Sequence, residues 1–150
     1  MTPRPILTLA LFAAFALAPA APAAPTDAEV AAHELALGVA GAFQNDGFKL
    51  RDGVWSGRLD AGKSAVIQVN LYAGNEYWFV LGAVAPAKKV VVTVFDEAGK
   101  AIDCEPYQGD PAGGASAAAG FSPGVSGPYY VKIALAEGDA ASFCLLYSYK

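Results

Sequence analysis

The stretch "DCEPYQGD" sets Asp103, Glu105 and Asp110 around the flexible Gly109. Oxygen ligands converging on such a segment can hold calcium, so these three carboxylates are the candidate metal ligands, although their spacing fits no EF-hand loop. A carboxylate pair is also the working part of many glycosidases, and the same residues carry the alternative reading of a small secreted hydrolase. The plain reading is a set of solvated charges at a strand end and a turn. Other catalytic sets are poorly supplied. The single histidine, His33, falls by helical angle off the apolar stripe of its segment and toward solvent. One histidine with two oxidised cysteines makes no zinc site, and no second histidine is available for a Ser-His-Asp array. "AGGASAAAG" has glycines but lacks the Lys-Ser/Thr that would hold phosphates. No cofactor is expected beyond the calcium candidate.

Two aromatic residues are the better binding candidates. If Tyr77 and Phe79 face a core, the alternation of a strand turns Trp78 outward, and the same rule turns Tyr130 outward on another strand. Exposed aromatics on a sheet can stack on sugar rings or receive a protein partner. The competing expectation is that an N-terminal helix covers them.

The chain has 150 residues, and its start is laid out for export. Arg4 is the only early charge, an apolar run extends from Ile6 to Leu17, and "APAAPAAP" follows, which is the three-part form of a secretory signal peptide. The apolar run is shorter than the roughly 20 residues a spanning helix needs. Cleavage is expected after Ala23 or after Ala20, leaving no transmembrane anchor and a periplasmic or extracellular product of roughly 127 residues, enough for one domain with a core. Its net charge becomes about −5, because Arg4 leaves the 10 basic residues while all 14 acidic ones stay. That dispersed acidic balance argues against nucleic acid and anionic membrane surfaces. In an oxidising compartment Cys104 and Cys144 pair by default, closing a loop of about 40 residues for about 3 to 4 kcal/mol; two separate buried thiols are the alternative.

The elements that must position these residues can be read from period and punctuation. Thr26 to Asn45 reads as one helix opened by the capping box Thr26-Asp27-Ala28-Glu29 and ended by Asn45-Asp46-Gly47. Ala32, Leu35, Ala36, Val39 and Phe43 form its apolar stripe. From Val54 the period becomes two: "VWSGRL", "AVIQVNLY", "EYWFVLGA", "VVVTVFD", "AIDCE", "YYVKIAL" and "SFCLLYSY" read as strands, with "AAAGFS" a weak one. "PAKK" is read as a connection and "PYQGDPAGGAS" as a loop, because Gly and Pro dominate it and no apolar period survives. Seven or eight short strands with one helix in front predict an antiparallel β-sandwich or jelly roll. The domain plan is a leader over residues 1–23, the helix and a linker over 24–52, and the sandwich over 53–150.

The motifs "WSGRLDAGKSAVIQVNLYAGNEYWFVL", "VVVTVFDEAGKAI" and "SGPYYVKIAL" with "SFCLLYSY" resemble the bacterial pre-peptidase C-terminal (PPC) domain, a jelly-roll β-sandwich of secreted proteins. The resemblance covers roughly Gly53 to Tyr149. Members usually follow a large catalytic domain, whereas a helix stands in front of this one. The resemblance implies a non-catalytic role in secretion, solubility or substrate attachment. The reading is therefore an exported, non-enzymatic module with a structural or binding role toward an envelope protein or a carbohydrate.

Overall fold

Thr26 and Glu29 close the helix start as their spacing predicts. In the computed structural model, which describes residues 23–150, the Thr26 hydroxyl accepts from the Glu29 backbone N–H at 3.2 Å, and the Glu29 carboxylate accepts from the Thr26 backbone N–H at 2.8 Å. Helix α1 then runs Asp27–Gln44, with Asn45 as its C-cap. The expected leader lies outside the described residues, apart from Ala23.

Nine strands follow: β1 (Lys49–Leu50), β2 (Trp55–Leu59), β3 (Ser64–Leu71), β4 (Tyr77–Val84), β5 (Ala87–Phe95), β6 (Glu105–Gly109), β7 (Gly114–Phe121), β8 (Gly127–Gly138) and β9 (Ala141–Tyr149). They form two antiparallel sheets. The larger has the order β1-β9-β4-β7-β6, with β2 also on β9; the smaller has the order β3-β8-β5. The described residues are thus mainly β, a sandwich with one helix. From β2 onward every connection except the β6–β7 hairpin passes from one sheet to the other.

The core lies between the sheets. Phe79 and Leu81 of β4, Leu145 of β9, Val131 and Ile133 of β8, and Val90 and Val94 of β5 are sealed from solvent, each the inward member of an alternating strand. A second, smaller core lies on the other side of the larger sheet, where Ala36 and Ala40 of α1 meet Val80, Ala118 and Leu146. The helix therefore docks as a third layer. Its contact line is alanine: Ala32, Ala36 and Ala40 are buried, while Leu35, Val39 and Phe43 flank that line half-buried. His33, expected on the solvent side, is half-buried.

Four expectations need correction. The segment read as a loop from Pro106 to Ser116 contains an edge strand and the start of β7, which is a full central strand between β4 and β6. Ala115 to Ala119 are all buried, because a strand with a core on one face and a helix on the other has room only for small side chains. "PAKK" belongs largely to β5, and of "AIDCE" Ala101 makes a single bridge with Phe95 while Glu105 opens β6. The Cys104–Cys144 disulfide is absent, and both residues are free thiols. Cys144 sits on β9 opposite Gly82, facing the helix side; Cys104 lies just before β6 and packs against the inter-sheet core. From β9 to β6 is three strand spacings, about 14 Å, and a disulfide needs Cα atoms within about 7 Å.

Candidate functional site

The expected metal ligands do not converge. Glu105 and Asp110 flank the extended β6, so they stand about 17 Å apart along it, and all three carboxylates are exposed. No group of three metal-ligating side chains occurs among the described residues. The same separation is too wide for Glu105 and Asp110 to act as a glycosidase pair.

Trp78 and Tyr130 are also not brought together. Trp78 lies on the helix-covered face, stacked on Phe43 with ring centroids 4.3 Å apart and planes 12° apart. Its other side lies across Gly120, where an added Cβ would come within 2.8 Å of the indole. Tyr130 lies on the opposite outer face of the sandwich, in register with Gln68 on one side and Phe95 on the other. No helix covers that face among the described residues.

A different group of residues forms a cleft. Along one side of the sandwich, the edge strand β3 and the segment joining β1 to β2 diverge and leave an open space of about 410 Å³. Trp55 enters it because β2 pairs with β9 so that Trp55 lies opposite Leu145, on the same face as Tyr147 two residues on. The two rings are nearly parallel, 15° apart in plane, with centroids 6.0 Å apart. Arg51 follows β1 and donates its backbone N–H to the Tyr147 carbonyl at 3.0 Å, which places its guanidinium 5.7 Å from the centre of the Tyr147 ring. Asp52, Gln68, Asn70 and Tyr72 line the rest of the space. Burial pushes the Tyr147 phenol above its ordinary value, and the nearby Arg51 guanidinium opposes that shift.

The arrangement joins an aromatic wall, Trp55 backed by the buried Tyr147, to a rim of planar hydrogen-bonding groups: a guanidinium, a carboxylate, two amides and the Tyr72 phenol. Such a site presents an apolar surface to a ligand face and fixes its orientation with a few polar contacts. The sequence reading missed it. Trp55 and Tyr147 are far apart in the chain, and only the β2–β9 register joins them. A tryptophan at the entry of the first strand was the one available signal.

No family model matches the chain, and no curated protein matches it either. No helix among the described residues is long and apolar enough to cross a membrane.

Proposed function

We propose that the protein is an exported, non-catalytic β-sandwich module that binds carbohydrate in the Trp55 cleft. The observation that carries the reading is the near-parallel Trp55–Tyr147 pair lining a space of about 410 Å³ beneath Arg51, Asp52, Gln68 and Asn70. Pyranose rings offer an apolar face of C–H groups and a rim of hydroxyls, and this cleft has a partner for each. The leader-like N-terminus and the PPC-like strand motifs support the export and the non-catalytic role. The two free thiols are compatible with an oxidising compartment because burial removes Cys144 from oxidants and half-shields Cys104.

The test is a titration of the protein in a Trp78→Phe background, so that Trp55 alone reports, with chitin, cellulose and peptidoglycan oligosaccharides. Binding should shift the Trp55 emission, and Trp55→Ala or Asn70→Ala should weaken capture on the matching polysaccharide by roughly tenfold or more. Absence of binding to all three, or equal capture by both variants, would reject the cleft. A protein partner is the second reading, favoured by Tyr130 and Phe95 on the uncovered sheet face.

A further inference from the structure

We infer that β3 pairs antiparallel with β3 of a second copy of this chain, joining two sandwiches through a continuous sheet. The observation is a contrast among edges. β6 carries Pro106 in mid-strand, and its Gln108 side chain donates to the Val90 carbonyl of β5 at 3.1 Å. The free side of β5 is closed by the returning chain, with Ile102 N–H bonded to the Val94 carbonyl at 2.9 Å, and β5 is irregular in register between Ala87 and Val90 beside Lys88 and Lys89. On the remaining side of the larger sheet, β1 and β2 are short, interrupted by residues 51–54, and β2 carries Arg58.

β3 has none of these guards. Its eight residues, "SAVIQVNL", hold no proline, glycine or charge and pair with β8 in unbroken register. No other strand pairs with it among the described residues. Edges of that kind invite another strand, and soluble proteins normally blunt them. Val66 is 60% exposed on the outer face of this strand. From Ser64 through Asn75 no residue is charged, so no charge along this edge opposes the approach of a second copy.

The occupant is a second copy because β3 supplies what its own edge asks for. Pairing here requires a strand with apolar side chains on the core side and uncharged ones on the other. β3 offers Ala65, Ile67, Val69 and Leu71 against Val66, Gln68 and Asn70. Antiparallel pairing about a two-fold axis normal to the sheet is self-complementary when the axis passes through a residue, since core-side residues then oppose core-side residues. The same axis leaves both larger sheets on one side of the joined sheet. The two Trp55 clefts, each bordered by β3, then open into one groove beneath the β3–β3 ribbon. This last step rests on the cleft being the binding surface.

Sedimentation velocity on the mature protein over a wide concentration range tests the pairing. The wild type should sediment at twice the monomer mass. Val66→Lys and Ser64→Lys, both on the exposed face and outside the cleft lining, should keep the native circular dichroism and raise the dimer dissociation constant by at least about 100-fold through like charges near the axis. A wild type that stays monomeric at all concentrations, or folded variants that dimerise as well as the wild type, would overturn the inference. Oligosaccharide titration of the same samples separates the two ideas: a dimer that binds no sugar removes the cleft reading and leaves the pairing, whereas a sugar-binding monomer does the reverse.

Discussion

At the scale of single residues, the molecule depends on which way a side chain is turned. Alternation alone correctly turned Trp78 away from the inter-sheet core, and the apolar stripe of the helix named Phe43 as a partner-seeking residue. The same alternation could not find Trp55, because its neighbour Tyr147 arrives through a strand register that no local pattern encodes. Cysteine was misjudged for a related reason: compartment argues for pairing, but geometry places one thiol on each face of the larger sheet. Burial pushes the Cys144 thiol up to about 11 and also raises Cys104. The unfolded chain therefore loses its Cys144 proton near pH 9, before the folded chain does. Stability contributed by the neutral thiol is complete below about pH 9 and is lost as pH rises toward about 11, by about 3 kcal/mol. Melts across that range should fall less steeply for Cys144→Ala than for wild type, and identical slopes would refute the assignment. Native alkylation at pH 8 should label Cys104 well before Cys144.

At the scale of elements, α1 was the most legible part of the chain, since its cap, stripe and stop are all local signals. Its exact seat was not. The helix rests on a line of alanines directly above Gly82, where an added Cβ would lie 2.6 Å from the Ala32 carbonyl oxygen and 2.7 Å from the Ala36 nitrogen. Both are backbone atoms, so neither can swing aside. Gly82→Ala should lift the helix and cost about 1 to 3 kcal/mol, accompanied by a red shift of Trp78 emission when Trp55 is replaced by Phe. An unchanged melt and emission would mean that the helix is not held at this contact. β6 and the first half of β7 were illegible, and the second half, "AAAGFS", read only as a weak strand, because a strand of alanine, serine and glycine has no apolar period, and because Pro106 reads as a breaker until an edge position is known to tolerate it. Their existence is dictated by the helix above and the second sheet below, which are facts of tertiary structure.

At the scale of the whole molecule, the fold class followed from counting strands and turns, while the pairing order did not, because the partners are remote. β3 pairs with β8 and β4 with β9, each across more than half the sandwich sequence. β9, last in the chain, lies between β2 and β4 and supplies Phe143, Leu145 and Tyr147 to one core and Leu146 to the other. A chain ended after residue 140 should show no native near-ultraviolet circular dichroism; a native spectrum would show that the larger sheet closes without β9. Refolding of the intact protein should be slow, on the millisecond-to-second scale typical of sandwiches with distant pairings. Because β9 fills the middle of its sheet, a partly synthesised chain has a gap where its central strand belongs and nothing stable to collapse onto. A nascent polypeptide in that condition stays threadable until β9 emerges, as the proposed export would require of it.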